Sequence, residues 1–268
     1  MDLDGSIVLV TGASSGIGAA LAPQLAARGA VVGIVARRAD RLAAVLAECR
    51  SHTEESSMWA EDLSDLDVAV STVDQVIARY GRVDVLVNNA AIGKRKLVQT
   101  LTDEDVDTTM RTNFTSPIRM AMALLPSMIE RGSGLVVNVS SMGGRLGIAH
   151  EAAYCASKFA MSGWSESARI DLDDTGVKVK LVLPGPIATE IWERQPGELP
   201  GMYDGPFVTA ADCAADIVRA IEDPDGFEYY TPESVPGGWA QKDLIVGKSQ
   251  NCDQFLTGMA QMAATKSP

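Results

Sequence analysis

The sequence predicts a doubly wound α/β fold, a parallel sheet of about seven strands with helices on both faces. Three observations predict it. Short β-branched runs alternate with longer Ala- and Leu-rich stretches of helical spacing along the 268 residues, as repeated strand–helix units require. Several short runs are apolar throughout, as strands covered on both faces must be. The first run enters a glycine-rich turn that leads directly into a helical pattern.

The strand runs are Ile7–Val10, Val31–Val35, Met58–Ala60, Val83–Val87, Leu135–Val139, Val177–Leu183 and Phe227–Tyr230. Helical spacing fills the intervals, for example at Ala19–Arg28, Arg41–Arg50, Val68–Arg79 and Ala156–Leu172. Pro184–Pro206 is the most irregular stretch, and Pro232–Gly238 is a second. A loop as long as the first, inside a compact domain, is usually functional or mobile. With no internal repeat or linker, residues 1–268 read as one domain.

Bulk properties exclude several functions. A net charge of −12 and a pI near 4.6 argue against nucleic-acid partners, which select a basic footprint. No run approaches eighteen apolar residues, so no membrane span is expected. Met1–Ser6 is short and acidic and lacks the basic and apolar regions of a secretion signal, which predicts a cytoplasmic protein. Cys49, Cys155, Cys213 and Cys252 are far apart and are expected as thiols. With only His52 and His150 present, a His-rich zinc site and Ser-His-Asp hydrolysis are both disfavoured and no metal site is expected.

The first turn reads Thr11-Gly12-Ala13-Ser14-Ser15-Gly16-Ile17-Gly18. Its glycines permit a tight turn and close helix–strand packing, and the following helix start offers free N–H groups to a pyrophosphate. The spacing is G-x-x-x-G-x-G, distinct from the common G-x-G-x-x-G fingerprint, and a generic glycine-rich turn shares its features. At the end of the second strand an NAD site would place an acid; Arg37 and Arg38 stand there instead. Arginines suit a 2′-phosphate, which favours NADP, although two solvated arginines opening a surface helix would look the same. Asp62 is read either as a contact to the adenine edge or as a cap for the next segment.

Tyr154 and Lys158 are four residues apart and so share a helix face. A phenol with a pKa near 10 is a poor base at neutral pH, and a nearby ammonium lowers that value. Ser141 is placed to donate a hydrogen bond to the same substrate oxygen. A tyrosine packed beside a solvated lysine is the alternative.

Taken in order, Thr11–Gly18, Asp62-Leu63, Asn88-Asn89-Ala90-Ala91, Asn113, Val139-Ser140-Ser141, Tyr154-x-x-x-Lys158 and Pro184-Gly185-Pro186-Ile187-Ala188-Thr189 resemble the short-chain dehydrogenase/reductase superfamily. The resemblance runs from the first strand to about Pro232 and implies a single-domain Rossmann fold. It also implies hydride exchange between NADP(H), or NAD(H), and a carbonyl or alcohol. Tyr154 would be the acid/base, Lys158 would lower its pKa and hold the nicotinamide ribose, and Ser141, thirteen residues before Tyr154, would orient the substrate. Asn113 would hold a water linking Lys158 to solvent. Gly12, Ser14, Ser15, Gly16, Ile17, Gly18, Arg37, Arg38, Asp62, Leu63, Asn89, Ala90, Ala91, Pro184 and Gly185 would line the dinucleotide, with Asn89 fixing its strand and Ile187 and Thr189 at the nicotinamide. A dinucleotide-binding sensor without catalysis is the rival from another class; retention of Ser141, Tyr154, Lys158 and Asn113 speaks against it.

Two departures stand out. Ala91 replaces the family's usual glycine, and Ser15 stands where many NADP-using members carry a basic residue. The resemblance places a substrate lid at about 186–208, where Trp192, Met202, Tyr203 and Phe207 suggest an apolar substrate or simply pack the loop. It also implies a homodimer or homotetramer through the helix bearing Ala156, Ala160, Met161, Gly163, Trp164 and Ala168. Lys94-Arg95-Lys96 reads as a solvated loop, and the extension at about 233–268, of mixed polarity with scattered Met, Phe and Leu, reads as a cover for the lid or for an interface.

Overall fold

The computed structural model describes residues 1–235 and 239–266. The seven expected strands form β1 (Ile7–Thr11), β2 (Val31–Ala36), β3 (Ser57–Ala60), β4 (Val85–Asn88), β5 (Gly134–Val139), β6 (Val177–Pro184) and β7 (Glu228–Thr231). All pair in parallel, in the order β3-β2-β1-β4-β5-β6-β7. The register between β1 and β4 sets Leu9 opposite Leu86, with every residue of both strands buried. Strands so enclosed need no polar alternation, which is why their sequences read as continuous apolar runs.

Nine α-helices are described: α1 (Gly16–Ala26), α2 (Ala39–Arg50), α3 (Leu66–Tyr80), α4 (Asp103–Met110), α5 (Ser116–Glu130), α6 (Ala152–Asp171), α7 (Ala210–Glu222), α8 (Gln241–Gln250) and α9 (Cys252–Lys266). One sheet face carries α1, α2 and α7, where Leu21, Leu42 and Ile217 join Val8 and Ile34 in a core. The other carries α3, α5 and the end of α6, where Val73, Leu124 and Ala168 join Leu9 and Val136. The chain is a single doubly wound α/β domain, as predicted. Among the described residues no helix is long and apolar enough to cross a membrane.

Local chemistry sets the helix ends. The Asp65 carboxylate accepts from the N–H groups of Asp67 and Val68 to start α3, and Gly81, at φ 79°, ends it in the left-handed conformation. Thr102 and Asp105 form a reciprocal capping box on α4. α6 starts four residues earlier than the spacing suggested, which brings Tyr154 into its first turn. The irregular Pro184–Pro206 stretch begins on the last residue of β6 and holds one short helical turn, Glu190–Trp192. Of the second irregular stretch, Ser234–Val235 pairs antiparallel with Trp239–Ala240, and 236–238 lie outside the described residues.

Candidate active site

The sheet order reverses between β1 and β4, and the ends of these strands open a crevice where doubly wound folds bind ligands. A cavity of about 1210 Å³ runs from the start of α1 to Tyr154. That exceeds the ~300–1,000 Å³ of an ordinary small-molecule pocket, and leaves room for two ligands end to end.

At one end Gly12, Ser14, Ser15, Gly16 and Ile17 line the wall. Ser15 is the N-cap of α1 and its side chain makes no cap bond, so the first-turn N–H groups face the crevice without an internal acceptor. Gly12 has φ 69°, and a methyl there would lie 2.7 Å from the Cα of Ala90; the turn is closed against β4. Gly18 lies outside the cavity: a methyl on it would meet the Asn89 amide nitrogen at 2.6 Å. That glycine serves helix–strand packing. Asn89 donates to the Thr11 carbonyl at 2.9 Å and joins the ends of β1 and β4.

Along the middle stand Arg37, Arg38, Asp62, Leu63, Ala90 and Ala91. Asp62 accepts from the Ser64 N–H at 2.9 Å in the turn before α3, whose cap is Asp65 instead, and it lines the cavity wall. Ala91 keeps a negative φ, since among the described non-glycine residues only His150 has a positive one. The two arginines part company. Arg37 is largely exposed, 3.9 Å from Asp62. Arg38 folds over the glycine-rich turn, donating to Ser14 Oγ at 3.1 Å and Ser15 Oγ at 2.6 Å.

At the far end Ser141, Tyr154 and Lys158 meet Pro184, Gly185, Ile187 and Thr189. Ser141 Oγ accepts from the Gly143 N–H at 3.0 Å and hydrogen-bonds the Tyr154 phenol. Lys158 is buried; its ammonium donates to the Val139 carbonyl at 2.9 Å and lies 5.8 Å from the Tyr154 ring centre. Burial pushes Lys158 down to about 7. Burial likewise pushes the Tyr154 phenol above its ordinary value, and the Ser141 hydrogen bond only partly offsets that. In the protein alone, burial and the neighbouring Glu151 carboxyl set the direction of the Tyr154 shift.

Asn113 is fully buried in a π-helical turn, Arg111–Thr115, and does not line the cavity. Its amide clasps the backbone of Ile92, accepting from N–H at 2.8 Å and donating to C=O at 2.9 Å, and donates to Ser157 Oγ at 3.1 Å. Both amide hydrogens are thereby used in tying the loop after β4 to α6.

The solvated reading of Lys94-Arg95-Lys96 is corrected. Arg95 is only 3% exposed and donates to the carbonyls of Ile191 and Glu193 at 2.8 and 3.0 Å. Lys94 and Lys96 both pair with Asp105. Carbonyls and carboxylates placed by distant segments draw these cations inward, and no local pattern announces them. Other cavity groups also escaped the sequence reading. Glu151, three residues before Tyr154, is buried, and that pushes its carboxyl up to about 7. Phe255, Gly258, Met259 and Met262 of α9 line the outer wall; their i, i+3, i+4, i+7 spacing was the available signal.

A sequence profile of the family described as short chain dehydrogenase matches residues 6–198. The chain belongs to this family. It is 33% identical over 204 residues to a D-threitol dehydrogenase of Mycolicibacterium smegmatis, covering 76% of each chain. It is 35% identical over 217 residues to a 3-ketodihydrosphingosine reductase of Bacteroides thetaiotaomicron, covering 81% of this chain and 74% of the relative. A metagenomic short-chain oxidoreductase solved with NADP superposes with a TM-score of 0.72 and 32% identity, over 86% of this chain and 96% of that one. This short-chain dehydrogenase is thus an oxidoreductase acting on a CH–OH group or its carbonyl with a nicotinamide dinucleotide.

Proposed function

We propose that the enzyme is NADP(H)-dependent, with Tyr154 exchanging the proton at the substrate oxygen. The observation carrying the cofactor choice is Arg38, held over the dinucleotide turn by Ser14 and Ser15, with no acid ending β2. The uncapped start of α1 and the length of the cavity fit a dinucleotide. When bound, the cofactor supplies or accepts the hydride. Gly12, Ser14, Ser15, Gly16 and Ile17 would hold its phosphates, Arg38 with Arg37 its 2′-phosphate, and Asp62, Leu63, Asn89, Ala90 and Ala91 the stretch between. Pro184, Gly185, Ile187 and Thr189 would surround the nicotinamide.

In reduction the Tyr154 hydroxyl donates its proton to the carbonyl oxygen while Ser141 donates a hydrogen bond to the same atom; in oxidation the phenolate takes the proton. Lys158 orients the ribose and supplies positive charge. Asn113 acts from behind, setting the spacing between the loop after β4 and α6.

We assign the segment 186–208 as the cover of the substrate. Its ends clasp each other, Ala188 donating to the Val208 carbonyl at 2.8 Å and Val208 to that of Pro186 at 3.0 Å. Trp192, Tyr203 and Phe207 pack together, with Trp192 and Phe207 ring centres 5.1 Å apart, and Trp192, Met202 and Tyr203 also face the cavity. That wall, continued by α9, supports a substrate with an apolar body. For the oligomer, α6 keeps Ala156, Phe159, Gly163 and Ile170 exposed, whereas Met161 and Ala168 are buried inside the chain. The exposed set supports pairing of this face in a homodimer or homotetramer. The four thiols, without a disulfide among them, fit a reducing cytoplasm.

Titration with NADP⁺ and NAD⁺ tests the cofactor, and tighter binding of NAD⁺ overturns the assignment. Tyr154→Phe tests the chemistry: kcat is expected to fall by about 10²–10⁴-fold with cofactor affinity retained. Activity surviving largely intact would remove Tyr154 from the proton step.

A further inference from the structure

One carboxylate occupies the arginines at the cofactor end. Glu190 opens the short helical turn of the 186–208 segment, directly after Thr189. Its Oε2 accepts from Arg38 Nη1 at 2.7 Å, and its Oε1 pairs with Arg41. Arg41 lies one turn into α2, so the two guanidiniums, from the N-cap and first turn of one helix, converge on a single anion. All three side chains are between 36% and 46% exposed, within reach of a ligand entering the crevice. Glu190 and Arg38 both line the cavity.

A carboxylate bridging two guanidiniums imitates a phosphate, and a phosphate dianion outcompetes it by charge and by its third oxygen. We infer that Glu190 is an internal occupant of the 2′-phosphate position, displaced by the phosphorylated cofactor, and that this exchange couples cofactor choice to the covering segment. The inference rests on the NADP reading above. Glu190 is a positioning residue: it acts through Arg38 and Arg41, and it sits two residues before Trp192, whose indole N–H holds the Ile187 carbonyl at 2.8 Å. Releasing Glu190 therefore frees the first turn of the cover, whereas a dinucleotide lacking the 2′-phosphate leaves it latched.

The test uses the full chain with 2′,5′-ADP and 5′-AMP as probes, in wild type, Glu190→Gln, Glu190→Asp and Arg38→Ala. Two exposed charge pairs must be broken, so Glu190→Gln should tighten 2′,5′-ADP by about two- to tenfold and leave 5′-AMP unchanged. Glu190→Asp, which keeps the charge, should return the ratio toward wild type. In wild type, hydrogen exchange within 186–208 should rise with 2′,5′-ADP and not with 5′-AMP; in Glu190→Gln it should be raised before any ligand is added. An unchanged 2′,5′-ADP to 5′-AMP ratio in Glu190→Gln overturns the inference, as does exchange that both probes alter alike. Arg38→Ala separates the two claims. If it lowers the ratio while Glu190→Gln does nothing, the NADP reading stands and the latch falls; if it too leaves the ratio unchanged, the NADP reading falls with it.

Discussion

Tyr154, the proposed proton carrier, has surroundings that oppose ionisation in the protein alone. Burial and the nearby Glu151 carboxyl both raise its phenol, and the charge on Lys158 is halved near pH 7. The sign of the pH dependence follows. Carbonyl reduction uses the neutral phenol and should stay level across pH 7–9. Alcohol oxidation uses the phenolate, and its kcat/KM should keep rising past the unperturbed phenol value near 10. Glu151 ionises around 7, and its negative charge disfavours phenolate, so Glu151→Gln should move the oxidation profile to lower pH. Initial rates in both directions, with and without that substitution, check this; identical profiles would mean the two groups are not coupled. The Tyr154–Lys158 pair was legible in the sequence because helical spacing is local. The desolvation that sets their pKa values was not, since it depends on walls contributed by β5, β6 and the 186–208 segment.

The junction of the turn after β5 with α6 positions these groups. Gly144 has an ordinary φ and is required by contact alone. A methyl there would collide with Ser140 Oγ and lie 2.8 Å from both the Lys158 carbonyl and Ser162 Oγ. Gly144→Ala should therefore push the turn bearing Ser141 away from α6 at a cost of about 1–3 kcal/mol. kcat should fall by more than tenfold while cofactor affinity, measured by direct titration, changes little; an unaltered kcat would show that the turn absorbs the methyl. Strand runs were read correctly because an enclosed parallel strand has a distinctive composition. The glycine turn was legible too, down to a division of labour the structure made explicit: Gly12 for close backbone approach, Gly18 for helix packing. Helix starts were less legible. α6 begins at Ala152, before the regular spacing of its apolar residues, and the π-helical turn around Asn113 carries no periodic signal.

The cavity wall is completed by α9, about a hundred residues after Tyr154 in the chain. Phe255 and Met259 give that wall its apolar face. Replacing both by alanine should raise KM for extended apolar carbonyl substrates by about tenfold and leave small polar ones unaffected. Steady-state kinetics on a graded series decides it, and a uniform effect on both classes would assign α9 to stability instead. Arg95, read as solvated and found buried, belongs to the same scale. It anchors Ile191 and Glu193 from a segment 96 and 98 residues earlier, a pairing that only the folded chain creates.

What this sequence determined by itself is the fold, the glycine-rich turn and the shared helix face of Tyr154 and Lys158, because each is written in local spacing, strand composition or turn stereochemistry. Tertiary structure decided which arginine reaches the turn, that Glu190 pairs with that arginine and with Arg41, that Asn113 lies behind the cavity and that α9 lines its wall. These depend on charge pairing and burial between segments distant along the chain, where the free energy of a contact is set by what the fold brings alongside and excludes from water.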